Sequence, residues 1–419
     1  MSVNERSALA QSIGGSDVTT LAPPEPDLTP AEMLRRADEL RPTLRARQAE
    51  TEANGSMSAE TARALVDAGF FRVIQPRPLG GYGFDLPTYL RTAMSIARGC
   101  PETAWVLSLV LGHVHQFSSF SRDAQLEAYA ENGGDFRAPE VAAPQGRGTA
   151  EPGGYRVSGA WDYASGSDHA THILLVFVAD DAVPGESPLR MGLFARQDYE
   201  IVRNWDVIGM QGTGSNRVVM TDVFVPAHRV KVFPHPAVTD LPPEYADTPL
   251  FSGPSRPFIV MESASVVVGA AEGALDLYEE TFLTRKSSGP AGGPRDELAE
   301  YQLNFGRCRA LVDTARAALL HTAAEYMEIA RTTQRTGIPC SDDAARRLTL
   351  TVLQTVHLAH EAVDIIFRTA GSSAARRDSM LGRYWRNVSV LRGHLAHQSD
   401  SAAINYGRTH FGHSPVGVA

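Results

Sequence analysis

Apolar positions recur at three- and four-residue spacing through most of the first third of the chain. Met33, Ala37 and Leu40 share one helical face, Ala62, Leu65, Val66 and Ala68 another, and Leu107, Val110, Val114 and Phe117 a third. Thr29, Pro30 and Glu32 mark the start of this region as a cap residue, a first-turn proline and a capping-box carboxylate. Only Gln75 to Phe84, with two prolines and three glycines, forces a loop, which is equally a helix connection or a pocket lining.

From Val141 to about Val232 the period shortens. Tyr155-Arg-Val157 predicts a strand closed by a Ser158-Gly159 turn, Ile173 to Val178 a buried β run, and Met191 to Phe194 a short strand. Val218 to Val225 alternates until Pro226 stops it. Short strands joined by tight turns predict a compact antiparallel β-domain. Six prolines between 234 and 256 then predict a crossover linker. Four helical segments follow, at 261–283, 305–326, 348–367 and 379–406, an up-and-down four-helix bundle.

The expected organisation is therefore a flexible tail at 1–28, a helical domain at 29–138, a β-domain at 139–233, a linker at 234–256 and a bundle at 257–413. No βαβ alternation and no G-x-G-x-x-G after a strand are present, so a Rossmann domain is not expected.

Composition narrows the partners. At 419 residues, 43% hydrophobic and 21% charged, the chain reads as an ordinary globular protein. Its net charge of -9 and pI near 5.8 offer no footprint for nucleic acid. The longest apolar stretches, 106–111 and 173–178, fall far short of a membrane span, and the N-terminus lacks a secretory pattern, so a cytoplasmic protein is expected. Cys100, Cys308 and Cys340 are too scattered for a zinc site or a disulfide framework. No metal is expected.

Candidate chemistry gathers in Gly159-Ala-Trp-Asp-Tyr-Ala-Ser-Gly-Ser-Asp-His-Ala170, where Trp161, Tyr163, Ser165 and Ser167 lie beside a buried strand. As bare pattern this is also an ordinary hydrogen-bonded turn. Gly209-Met-Gln-Gly-Thr-Gly-Ser-Asn216, with Gly212 and Thr213, is equally a structural glycine turn and a cofactor lining. Ala370-Gly371-Ser372 breaks a bundle helix, which is either a C-cap or an anion-binding break. His113 lies on the helix that also carries Trp105, and His394 on the last bundle helix.

The helical, β, helical order together with Trp161-x-x-x-Ser165-Gly-x-Asp-His-Ala170, Gly212-Thr-Gly-Ser-Asn216, Ala370-Gly-Ser372 and Tyr384-Trp-Arg386 before His394 resembles the acyl-CoA dehydrogenase fold. Within that fold the chain is similar to the oxygenase components of two-component, group D flavin-dependent monooxygenases, over roughly residues 30 to 413. The resemblance implies reduced FMN or FAD from a separate NAD(P)H flavin reductase, O2 as co-substrate, and hydroxylation of a phenolic or natural-product aromatic through a C4a-hydroperoxyflavin. It implies Ser165, ahead of Ser167, at flavin N5, with His113 and His394 facing the substrate and an imidazole of near-neutral pKa taking the phenol's proton. It further implies Trp161, Gly212, Thr213, Ala370, Gly371 and Ser372 against the flavin, with Arg285 from a neighbouring subunit at its phosphate, Trp105 and Tyr163 at the substrate, and a homotetramer.

The dehydrogenases of this fold place a catalytic glutamate where this chain has Gly393-His-Leu-Ala-His-Gln398, which weighs against α-proton abstraction. N- or S-oxygenation by the same chemistry, a dehydrogenase-like flavoenzyme with a displaced base, and a non-catalytic scaffold remain as alternatives.

Overall fold

The computed structural model describes residues 21–183, 185–234, 241–287 and 292–416. Five helices come first: α1 (Pro30–Asn54), α2 (Ala59–Asp67), α3 (Leu86–Gly99), α4 (Pro101–Phe117) and α5 (Arg122–Glu131). The Thr29 side chain accepts a hydrogen bond from the Glu32 amide, so the start signal in the sequence is the start of α1. Of the expected tail, residues 1–20 lie outside the described residues. Residues 21–28 are held, because Leu21 bridges to Leu79, Leu28 is buried and Glu25 pairs with Arg36.

Seven strands follow in one sheet: β1 (Glu140–Glu151), β2 (Gly154–Ala164), β3 (His172–Ala179), β4 (Leu189–Ala195), β5 (Glu200–Val202), β6 (Asn216–Pro226) and β7 (Val230–Val232). Their order is β5-β6-β2-β1-β3-β4-β7. The sheet is mixed rather than antiparallel, since β3 returns along the far edge of β1 and pairs with it in parallel. The β3 run is apolar throughout because both its faces are covered. Ile173, Leu175 and Phe177 join the sheet's own core around Trp161, while Leu174 and Val176 face the helical core.

The Ser158-Gly159 turn does not form, and β2 runs straight through to Ala164 with bulges on either side. Gly159 serves close approach: a Cβ there would meet Gly146 Cα at 2.6 Å and the Trp161 ring at 2.7 Å. The described part of the linker from residue 241 onward is likewise built in. Tyr245 and Phe251, from two short 3-10 turns, are buried beneath α7 (Ala299–Thr336).

The bundle comprises α6 (Ser255–Thr284), α7, α8 (Asp342–Thr369), α9 (Met380–Leu391) and α10 (Ser399–His410). The expected fourth helix is thus two, broken at 392–398. Helix α6 is long and apolar enough to cross a membrane by composition, yet 89% of its most apolar window is buried inside the protein. It packs against α3, α4 and α8 and forms the axis of the helical core.

Candidate active site

The break between α9 and α10 puts His394 at the start of a 3-10 turn (Leu395–His397) rather than on a helix. From there its imidazole meets the Trp105 indole of α4 edge-on, with centroids 4.9 Å apart. Trp105 Nε1–H in turn donates to Ser165 Oγ at 3.3 Å, where the chain leaves β2. Three segments far apart in sequence therefore converge.

Ser165 begins a chain of hydroxyls. Its Oγ lies 2.7 Å from Ser215 Oγ, which lies 2.6 Å from Thr213 Oγ1, and Thr213 donates to the Met210 carbonyl at 2.8 Å. A hydroxyl donates once. Thr213 gives its proton to Met210, so Ser215 donates to Thr213 and Ser165 to Ser215. Ser165 accepts from Trp105 and retains one lone pair. Ser215 stood inside a quoted motif, but only the folded turn shows it bridging the two candidate residues.

The Gly212 loop docks on the helical domain. Its amide donates to Glu102 Oε1 at 3.0 Å, and a Cβ at 212 would fall 2.4 Å from Thr51 Cγ2. Glu102 is fully buried, its Oε2 has no partner among the described residues, and burial raises its pKa to about 7. Nothing in the local sequence marks Glu102 beyond its place in the first turn of α4.

The two histidines hold opposite tautomers. His113 Nδ1 lies 2.9 Å from the Ala138 carbonyl, which only accepts, so Nδ1 carries the proton and Nε2 is bare. His394 Nδ1 accepts from the Ala396 amide at 3.2 Å, so Nε2 carries the proton. The pKa of both is lowered to about 4, by burial at His113 and by burial together with nearby His397 at His394. The near-neutral imidazole expected for taking a phenol's proton is therefore absent, because desolvation penalises the charged ring. His113 offers an acceptor and His394 a donor.

Other expected residues lie elsewhere. Trp161 is fully buried in the sheet core and donates to the Val176 carbonyl at 2.7 Å. Tyr163, at φ 67°, is 67% exposed and stands edge-on to Trp205. The Ser167 hydroxyl is sealed with no partner, while Asp168 is paired with Arg203. His169 bonds the Met57 carbonyl, so both hold the turn in place.

A second group forms where α8 ends. Gly371 adopts φ 94°, Arg285 Nη1 donates to Ser373 Oγ at 2.6 Å, and Arg295 Nη1 donates to the Ala370 carbonyl at 3.0 Å. Arg295 Nε is buried without a partner among the described residues. Ser372 is exposed beside them. This cationic group and the Trp105–Ser165 group share no hydrogen bond or ring contact among the described residues.

The family models "Acyl-CoA dehydrogenase, N-terminal domain" and "Acyl-CoA dehydrogenase, C-terminal domain" match residues 32–132 and 261–399. The oxygenase subunit HsaA of a flavin-dependent monooxygenase from Rhodococcus jostii is 32% identical over 381 residues, 90% of this chain and 98% of that protein. The oxygenase component of an FADH2-dependent resorcinol hydroxylase from Rhizobium is 29% identical, covering 88% of this chain and 91% of its own. Among solved structures, XiaF from Streptomyces in complex with FADH2 and glycerol superposes with a TM-score of 0.84 at 26% identity, covering all of both chains.

Proposed function

The chain belongs to the oxygenase components of flavin-dependent monooxygenases built on the acyl-CoA dehydrogenase fold, and from that premise we propose that it hydroxylates a phenolic or related aromatic substrate. It is a flavin-dependent enzyme, and reduced flavin is its cofactor. A separate reductase supplies that flavin, as the oxygenase-component names of its relatives imply.

The residues fit the flavin. Ser165 keeps one lone pair at the end of a directed hydroxyl chain, a natural acceptor for the N–H that a reduced flavin ring carries at N5. This observation carries the proposal. Arg285, Arg295 and the Gly371 backbone supply a separate anion-binding group for a flavin phosphate, with Ala370 and Ser372 beside it. Thr213 and Gly212 support the ring through Ser215 and the Glu102 contact. Trp161 acts only from behind, through the sheet core.

When bound, the flavin activates O2 for transfer to an electron-rich carbon. The protein's share is orientation, water exclusion and proton placement. Bare His113 Nε2 accepts a hydrogen bond from the phenol hydroxyl and raises electron density on the ring without taking the proton outright. His394 Nε2–H donates to a developing negative oxygen. Trp105 fixes the imidazole of His394 by its edge-on contact.

Because the phosphate-type group and the Ser165 group are not joined within one chain, the proposal includes assembly. Arg285 and Gly371 of one subunit complete the flavin site of the next in a cytoplasmic homotetramer. Light scattering gives the mass, and an Arg285→Ala variant should weaken reduced-flavin binding without shifting that mass. The reaction itself is tested by single turnover under 18O2 with reduced FMN or FAD and a panel of phenols, amines and thioethers. Label in a phenolic product supports hydroxylation, and label only in N- or S-oxides overturns it.

A further inference from the structure

Next to His113 the helix α4 carries Gly112, and a side chain has no room there. An ideal Cβ at 112 would fall 1.7 Å from Glu262 Oε2 and 3.1 Å from the Tyr89 hydroxyl. Glu262 projects from the core helix α6, is 96% buried by its 4% exposure, and its carboxyl makes no hydrogen bond among the described residues. The nearby donors are all committed. Tyr89 O–H donates to the Ser108 carbonyl at 2.7 Å, and the Ser108 and Ser265 hydroxyls donate to the Glu262 backbone carbonyl at 2.8 and 2.7 Å.

A second carboxyl lies within electrostatic reach. Glu140 opens β1, two residues after the Ala138 carbonyl that orients His113, and its Oε2 is buried without a partner. Only Glu140 has a cation beside it. Lys231 attracts Glu140, but its ammonium is held by the Gln116 carbonyl at 3.1 Å and by Ser119 Oγ, over the Phe120 ring. Glu262 has no such counter-ion among the described residues, and the neighbouring His113 is neutral. An ionised Glu262 would therefore stand uncompensated unless a cation arrives with the ligand.

We propose that this cluster at Gly112, His113, Glu140 and Glu262 receives a protonated amine carried by the aromatic substrate, with Glu262 as the carboxylate that holds it. The inference rests on His113 facing the substrate, as argued above, and narrows the substrate to the arylalkylamine class. Glu262 is a specificity-determining residue, distant from the oxygen transfer. In the free protein burial, and after it the charge of Glu140, favour the protonated form of Glu262 and hold its pKa well above the usual carboxylate value, while burial raises Tyr89 as well. Burial raises Glu140 and lowers Lys231, whose charge also depresses His115. Arrival of an ammonium ionises Glu262, and its proton leaves to solvent. No electrons move in this step.

The test is calorimetric binding of tyramine, 4-ethylphenol and 3-(4-hydroxyphenyl)propionate to the full-length protein, in buffers of different ionisation enthalpy, without flavin turnover. Tyramine should bind about tenfold or more tightly than the neutral and anionic isosteres. It should also release close to one proton. In a folded Glu262→Gln protein, 4-ethylphenol binding should persist while the tyramine preference and the proton release disappear. If that variant does not fold, the wild-type preference and proton count decide, with Glu140→Gln expected to reduce the preference. Equal or weaker binding of tyramine, absence of tyramine binding, or a preference surviving Glu262→Gln overturns the inference. Because neither flavin nor O2 enters the measurement, such a failure in a protein that still oxygenates phenols leaves the proposed reaction standing.

Discussion

Trp105 contacts His394 with its ring edge at 4.9 Å and 86°, and gives its one N–H to Ser165 at 3.3 Å. One side chain therefore links the donor imidazole to the hydroxyl chain that ends at the Met210 carbonyl. Severing that link has a definite signature. Trp105→Phe keeps an aromatic edge for His394 but frees Ser165 from its donor, and Ser165→Ala removes the hydroxyl altogether. Single turnovers should then lose more reduced flavin to hydrogen peroxide, by roughly fivefold to tenfold in Ser165→Ala, the worth of one hydrogen bond. Trp105→Phe should leak less than Ser165→Ala, and unchanged peroxide yields in both would place Ser165 away from the flavin.

The tautomers of His113 and His394 predict the pH profile. Both imidazoles are held neutral, with pKa lowered to about 4 by burial. The single-turnover oxygenation rate at saturating substrate should be flat from pH 6 to 8, with no inflection near the ordinary histidine value of 6.5. His113→Phe should slow oxygenation and leave flavin binding unaltered. A histidine inflection near neutrality in the wild type, absent from His113→Phe, would contradict the assignment of His113 as a neutral acceptor.

Stability should also respond to acid in a traceable way. His115 is stacked against Phe258 at 4.4 Å, and burial lowers its pKa from 6.5 to about 3. Its folded pKa lies below the unfolded one, so between the two the unfolded chain binds the extra proton. Stability from this group is complete above 6.5 and is lost as pH falls, by about 2 kcal/mol at pH 5. Glu102 works in the opposite sense. Its pKa is raised from 4.5 to about 7, so its contribution is complete below 4.5 and lost as pH rises through 7. In thermal melts at pH 5 and 7.5, His115→Leu should raise stability at pH 5 relative to pH 7.5, whereas Glu102→Gln should raise stability at pH 7.5 relative to pH 5.

The sheet core makes a purely structural prediction. Trp161 fills the space above two glycines, and a Cβ on Gly146 would fall 2.0 Å from its Cζ2. Trp161→Ala should cost about 3 to 5 kcal/mol, measured by denaturant unfolding. Gly146→Ala should also destabilise, and Trp161→Phe should keep flavin binding in whatever fraction remains folded. A large loss of flavin affinity in a stable Trp161→Phe protein would show that the indole touches the cofactor after all.

These outcomes also show what the chain disclosed before folding. The change from helical to strand period and back was legible because each period spans many residues, and the Thr29 cap was legible because it is local. The Ser158-Gly159 segment misled because glycine in a strand and glycine in a turn look alike, and only the Trp161 ring distinguishes them. The 392–398 break was hidden within an apolar pattern that continues on both sides. Ser165 and His394 were legible as motif members. Glu102, Glu140 and Glu262 were not, and Ser215, though inside the Gly212 to Asn216 motif, gave no hint of its bridging role, since each acquires its role from residues that local spacing cannot bring together.

The central claim is that the Ser165 site holds a reduced flavin and directs its reaction with O2. Stopped-flow mixing of the protein and reduced FMN or FAD with oxygenated buffer tests it most directly. A transient whose absorbance differs from both reduced and oxidised flavin, long-lived in the wild type and shortened in Ser165→Ala, is the predicted result. Direct conversion of reduced to oxidised flavin, at the rate seen without protein and under either flavin, would contradict it.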